Sequence, residues 1–248
     1  MKAKYILYGI ILVLSNTFLF AGTHRPDVPD TKFVEYGAKF GCVMPVTTEI
    51  KDNITGIGSC VVINEHWCIT AAHVTSNAKN VHVMINGNKF HIDKVIVNKE
   101  FNMEDNFGKG DIALLYSKKS FGKVLVPELY TERDEVSKIC TIAGYGYTGT
   151  FSTGAATGHD YKKRGGTNTI VGIMKEMLTC RADRNGTRLE FLISAGDSGG
   201  GMFINGKLAG ISSLILTNNK SIKGVYGDTA CFTRVSSYIE WINKHVKR

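Results

Sequence analysis

The sequence predicts an all-β protein, a barrel or a sandwich, and three observations carry that prediction. Glycine supplies 27 of 248 residues, about 11% against a usual ~7%, while there are only 4 prolines. Short apolar runs follow one another at close intervals, and turn signals such as Asn86-Gly87 and Asn205-Gly206 separate them. No helical pattern of the length that alternates with strands in parallel α/β sheets lies between the runs.

The strand-like runs lie at 59–63, 67–71, 80–85, 90–97, 112–116, 139–144, 169–174, 188–194, 201–204, 208–216 and 230–235. Residues 22–32 are polar and read as a loose leader or propeptide, and 145–166 read as a surface loop rich in Gly, Thr and Ser. One helix is expected, over 236–246. Ser236 or Ser237 can cap it, and Ile239, Ile242 and Val246 share a face. It closes the fold from outside.

Met1-Lys2-Ala3-Lys4 is basic, residues 5–20 are mostly apolar, and Ala21-Gly22 are small. That order reads as a secretory signal peptide cut near Ala21. The expected location is therefore secreted or periplasmic, with no stable membrane association once the signal is gone. Losing Lys2 and Lys4 lowers the formal charge from +8 to +6. The remaining basic residues are scattered without interleaved aromatics, so no nucleic-acid partner is expected. Six cysteines (Cys42, Cys60, Cys68, Cys140, Cys180 and Cys231) permit three disulfides in 15 pairings. Cys60 and Cys68 flank a turn, where either a bond or two buried thiols fit. Neither CxxC nor zinc-type spacing occurs, so no metal or other cofactor is expected.

The chemistry gathers at three places. In Gly196-Asp197-Ser198-Gly199-Gly200 a serine sits among glycines that can hold it exposed and let a substrate approach the backbone. A serine hydroxyl needs a base, and the base needs an orienting partner. His73, after the apolar run 67–72, is the base candidate. Asp111, at the mouth of the strand 112–116, is the orienter, because a buried carboxylate requires a partner such as an imidazole N–H.

Thr70-Ala71-Ala72-His73, Gly110-Asp111-Ile112-Ala113-Leu114-Leu115 and Gly196-Asp197-Ser198-Gly199-Gly200 together resemble the signature segments of the trypsin/chymotrypsin-like serine proteases. Trp67, residues 95–102, Ala143-Gly144-Tyr145-Gly146 and residues 208–213 agree, so the resemblance runs over nearly all of 33–248. It implies two six-stranded antiparallel β-barrels, about 33–135 and 136–235, then a C-terminal helix at 236–247, with the site in the cleft between the barrels. It also implies a monomeric endopeptidase acting on protein or peptide substrates through His73, Asp111 and Ser198. The N–H groups of Gly196 and Ser198 form the oxyanion hole in such a protease, and Ser213 supports the buried aspartate.

Asp197, by the same resemblance, pairs with a newly freed N-terminal amine. Phe33-Val34-Glu35-Tyr36-Gly37 resembles the mature N-terminus of the family, which implies an activating protease cutting after Lys32. The competing expectation is that removal of the signal leaves the only terminus and that a side chain, or nothing, pairs with Asp197. Departures from the family pattern are Val74 and Gly58 where a cysteine pair is common, Ile204 opposite Cys140, and Gly201 for a proline. The specificity pocket maps to Leu192, Ile193, Leu214 and Ile215, which have no acid among them and so disfavour Lys or Arg at P1.

Two other functions fit parts of the pattern. Gly196–Gly200 also fits the G-x-S-x-G elbow of α/β-hydrolases, with Asp228 and His245 following, but no strand–helix alternation surrounds it. A non-catalytic binding protein on the protease fold is the second; an intact His-Asp-Ser set argues against it.

Overall fold

A computed structural model describes residues 22–50, 54–102, 108–155, 160–217 and 223–246. The signal segment lies outside the described residues. Seven strands form the first sheet: β2 (Val43–Glu49), β3 (Thr55–Val62), β4 (Trp67–Thr70), β5 (Asn80–Ile85), β6 (Asn88–His91), β7 (Lys94–Val97) and β8 (Ala113–Tyr116), in the order β6-β5-β2-β3-β4-β8-β7. The expected six strands become seven, and the ladder does not close. Asn86 and Gly87, both at positive φ, turn β5 tightly into β6, and only two residues separate β6 from β7. The sheet thus curls until its edges meet at a corner, where Ile92 N donates to Val81 O and Asp93 N to Tyr116 O.

The second unit is a closed six-stranded barrel, as expected. It consists of β9 (Ile139–Gly144), β12 (Arg164–Met174), β13 (Met177–Arg181), β15 (Gly201–Ile204), β16 (Lys207–Leu216) and β17 (Thr229–Arg234). A small sheet joins β1 (Thr23–His24), β10 (Gly149–Thr150), β11 (Gly154–Ala155) and β14 (Phe191–Leu192). The 145–166 stretch is therefore not simply loop, and β14 is a fragment of the strand expected over 188–194.

Three apolar clusters hold these parts. One fills the closed barrel around Ile142, Ile170 and Phe232, and another fills the first sheet around Val46, Val83 and Leu115. The third joins Ile69 and Leu114 of the first sheet to Phe203 and Ile211 of the barrel, so the two units share a buried apolar seam. The terminal helix α3 (Ile239–His245) packs Ile242 and Val246 against that third cluster, after a 3-10 turn at Val235–Ser237. It is shorter than expected, and Ser236 and Ser237 do not cap it. Their hydroxyls go to Glu135 (2.9 Å) and Glu176 (2.7 Å) instead.

The largest departure lies at the N-terminus. Residues 22–32 are not loose: β1 pairs with β10 and β14, and helix α1 (Asp30–Gly37) follows, with Phe33 fully buried in the barrel cluster. All six cysteines are buried free thiols. Burial pushes Cys42 and Cys231 up to about 11, which keeps them protonated. Cys180, whose partner the sequence left unassigned, lies with its sulfur 3.6 Å from that of Cys140. Val74 and Gly58 face each other, as their family positions imply; a Cβ added at Gly58 would stand 2.9 Å from Val74 Cγ1.

Candidate active site

His73 lies in a single helical turn, α2 (Ala72–Thr75), at the end of β4. Asp111 precedes β8, the neighbour of β4, so sheet pairing brings the two residues together. Asp111 Oδ1 accepts the His73 backbone N–H at 2.9 Å, and Oδ2 lies 2.8 Å from His73 Nδ1. The carboxylate thus fixes both the turn and the ring, and turns Nε2 away from itself. Ser213 Oγ donates to the same Oδ2 at 2.5 Å, and Thr233 Oγ1 donates to Asp111 O at 2.8 Å. Burial favours the neutral acid, but the hydrogen bonds and charge of His73, with the Ser213 hydroxyl, outweigh it and hold Asp111 below the usual carboxylate range.

Ser198 comes from the other unit, half-buried on the loop between β14 and β15. That loop is clamped to the first sheet beside the His73 turn. Ser59 N donates to Ser198 O at 2.8 Å, and Ser59 Oγ donates to Gly196 O at 3.1 Å. Gly199 sits at φ +85, where an added Cβ would lie 2.0 Å from Thr70 Oγ1 and 2.1 Å from Ser59 O. Only glycine allows this approach between the Ser198 loop and the segment leading into His73. Ser198 Oγ makes no hydrogen bond to His73 among the described residues; unliganded serine–histidine contacts are commonly long and tighten only with substrate bound.

The Ala195–Gly196 and Asp197–Ser198 peptides each have an engaged carbonyl. Ala195 O accepts from Tyr147 N at 2.7 Å, and Asp197 O accepts from Gly200 N at 2.8 Å. In a trans peptide the next N–H points the opposite way. The amides of Gly196 and Ser198 therefore face away from those bonds and have no partner among the described residues.

Asp197 is fully buried. Its Oδ1 accepts Gly146 N at 2.8 Å, and its Oδ2 accepts Ser194 N at 2.8 Å. Ser194, which the sequence reading passed over, joins it to the N-terminal segment: Ser194 Oγ takes the Gly22 backbone N–H at 3.1 Å.

Of the predicted pocket residues, Leu192 and Ile193 are buried in the barrel cluster, while Leu214 and Ile215 are half-exposed on β16. Ile215 packs on the cluster that holds Leu192 and Ile193. The nearby acids are engaged within their own loops. Asp228 Oδ2 accepts Gly224 N (2.8 Å) and Val225 N (3.1 Å), and Glu190 Oε2 accepts Thr187 N (2.5 Å) and Oγ1 (2.8 Å). Asp228 and His245, the rival pair, do not join Ser198: His245 ends α3, with its ring stacked edge-on to Trp241. Among the described residues no group of three or more His, Cys, Asp or Glu can hold a metal, and no helix is long and apolar enough to cross a membrane.

Chymotrypsin-like elastase family member 1 of Macaca fascicularis is 26% identical over 211 residues, covering 75% of this chain and 77% of its own. Two solved structures share the fold. HL collagenase has a TM-score of 0.64 at 17% identity, covering 86% of this chain and 96% of its own. Neuropsin, a serine protease expressed in the limbic system of mouse brain, has a TM-score of 0.66 at 18% identity, covering 89% and 97%. The Trypsin family model matches residues 42–242, and the chain belongs to that family.

Proposed function

We propose that this protein is an exported serine endopeptidase, secreted or periplasmic, that cleaves protein or peptide substrates through an acyl-enzyme. The observation that carries the reading is the 2.8 Å contact of His73 Nδ1 with the buried Asp111, set beside the clamped Ser198 loop. With Nδ1–H held by Asp111, Nε2 is the free basic nitrogen. It takes the Ser198 hydroxyl proton as Oγ attacks the scissile carbonyl carbon. The carbonyl oxygen becomes an oxyanion that accepts from the N–H groups of Gly196 and Ser198. His73 then gives the proton to the leaving amine as the C–N bond breaks, leaving an ester on Ser198. Water, deprotonated by His73, hydrolyses that ester and restores the serine. Asp111 stays ionised throughout and steadies the imidazolium.

Leu214 and Ile215 narrow the entrance to the specificity pocket, whose apolar floor is the Leu192 and Ile193 cluster. The P1 residue is small or apolar, and among the described residues the nearby acids Asp228 and Glu190 are engaged by loop donors rather than free for Lys or Arg.

A fluorophosphonate probe, with mapping of the labelled peptide, tests the reading. The expected result is modification at Ser198, together with peptide turnover that disappears in Ser198→Ala. Labelling of a different serine, or turnover that survives in Ser198→Ala, refutes the assignment. A folded chain that neither labels nor hydrolyses any peptide in a broad library is a binding protein on this fold.

A further inference from the structure

We propose that the cut releasing the leader, between Ala21 and Gly22, is itself the activating cut: it turns the Gly22 nitrogen into the ammonium that serves Asp197, and no second protease is needed. This rests on the reading of the chain as a serine protease and names how that site is switched on.

Gly22 N is already in the polar pocket of Asp197. It stands 3.1 Å from Ser194 Oγ, which lies 3.4 Å from Asp197 Oδ2 and also donates to Tyr147 O. Around it the backbone is fixed. Gly149 N donates to Gly22 O at 3.2 Å, Phe151 N donates to His24 O at 2.9 Å, and Thr23 and His24 pair with β10 and β14. Position 22 accepts only glycine. Its φ is +59, and a Cβ there would lie 1.9 Å from Phe191 Cζ.

The chain beyond it is anchored as well. His24 stacks on Phe33 at 4.1 Å, and Asp30 forms a two-oxygen pair with the buried Arg164 at 2.6 and 2.7 Å. Such anchoring is what a segment needs if its first residue must stay in place after the peptide before it is hydrolysed.

Asp197 supplies the demand. Its partners are all neutral donors, and no cation pairs with it among the described residues. Burial pushes its carboxyl up to about 6 against the pull of those donors. Hydrolysis of the Ala21–Gly22 bond leaves a carboxylate on Ala21 and an amine on Gly22, which takes one further proton from solvent at neutral pH. That ammonium keeps Asp197 charged, and with it the peptide geometry that frees the Gly196 and Ser198 amides.

The expected cut after Lys32 does not fit. Lys32 and Phe33 lie inside α1, Phe33 is fully buried against His24 and Phe191, and the cut would detach β1 and Gly22 together.

The test compares the exported full chain with two chains released from a cleavable fusion, one beginning at Gly22 and one at Ala21. The exported protein should begin at Gly22 on N-terminal sequencing. The Gly22 chain should react with a fluorophosphonate at Ser198, and one added residue should slow that reaction by about 100-fold or more. An active exported protein that begins elsewhere, or equal labelling of the two released chains, overturns the proposal. If neither released chain labels, the protease reading fails, and acetic anhydride decides the ion pair separately. A Gly22 α-amine that resists acetylation until the protein is unfolded supports the pair. Its rapid acetylation in the folded protein refutes it.

Discussion

Ser213 and Asp111 are joined by a 2.5 Å hydrogen bond onto Oδ2, the oxygen that also faces His73 Nδ1. The hydroxyl helps keep a carboxylate charged that is 2% exposed. Because the folded carboxyl sits below its unfolded value, its contribution to stability is present above the unfolded pKa near 4. It is lost as pH falls through the folded pKa. Ser213→Ala should therefore destabilise the protein by about 1.5–3 kcal/mol at pH 7, the usual worth of a hydrogen bond to a charged group. The loss should shrink toward pH 2. Urea unfolding at both pH values checks this; a deficit that does not change with pH would show that the hydroxyl serves packing alone.

Asp111→Asn keeps the shape of the site and removes the charge that selects the histidine tautomer. An asparagine amide can present N–H to His73 and so leave the imidazole proton on the wrong nitrogen. We expect kcat to fall about 10⁴-fold with KM little changed. Titration of Ser198 with a fluorophosphonate under stopped-flow conditions should slow in parallel. A variant within tenfold of wild type would remove Asp111 from the mechanism.

Much of this arrangement was legible in the sequence because it is local. His73, Asp111 and Ser198 each sit in a run whose small or apolar neighbours announce a strand end or a tight turn. Asn86-Gly87 and Asn205-Gly206 announce their hairpins equally well, and all four residues have positive φ. What escaped is long-range. Asp30–Arg164 spans 134 residues and Gly22–Ser194 spans 172, so no pattern around residues 22–37 reveals that a polar segment is strand and helix. Helix α1 is eight residues long without a side-chain cap, and tertiary burial of Phe33 rather than propensity holds it. Residues 33–37 resemble the family terminus, yet Phe33 is fully buried and the Gly22 N–H is the one that reaches Ser194 Oγ, a contact that no local pattern announces.

Two glycines with similar φ separate backbone strain from crowding. Gly206, at φ +79, has nothing within 4 Å of an added Cβ, whereas Gly199, at φ +85, has the Thr70 hydroxyl and the Ser59 carbonyl within 2.1 Å. Gly206→Ala should cost only about 1–2 kcal/mol of stability and leave turnover intact. Gly199→Ala must push the Ser198 loop off the first sheet, and should lower kcat/KM by more than 100-fold, the scale expected for misplacing a reacting group by about 1 Å. Thermal melts and peptide hydrolysis of the pair test this. Equal activity in the two variants would mean that the clamp on Ser59 and Thr70 does not position the nucleophile.

On the proposed protease reading, Ile215 is the residue expected to set substrate choice. Its half-exposed side chain packs over the cluster containing Leu192 and Ile193, so it covers apolar surface that a substrate side chain could otherwise reach. The wild-type protein should cleave after small or apolar residues, with little turnover after Lys or Arg, because Asp228 and Glu190 are already engaged by loop donors. Ile215→Gly uncovers that surface without adding charge. The ratio of kcat/KM for a Phe substrate to that for an Ala substrate should rise about 10- to 100-fold, the range that a few methylenes in a hydrophobic pocket command. Cleavage after Lys should not improve. A peptide library profiled on both proteins measures the two ratios together. Dominant wild-type cleavage after Lys or Arg would place a carboxylate in the pocket and overturn this assignment of its walls. An unchanged Phe-to-Ala ratio in Ile215→Gly would move the constriction to another residue, with Leu214 the next to replace.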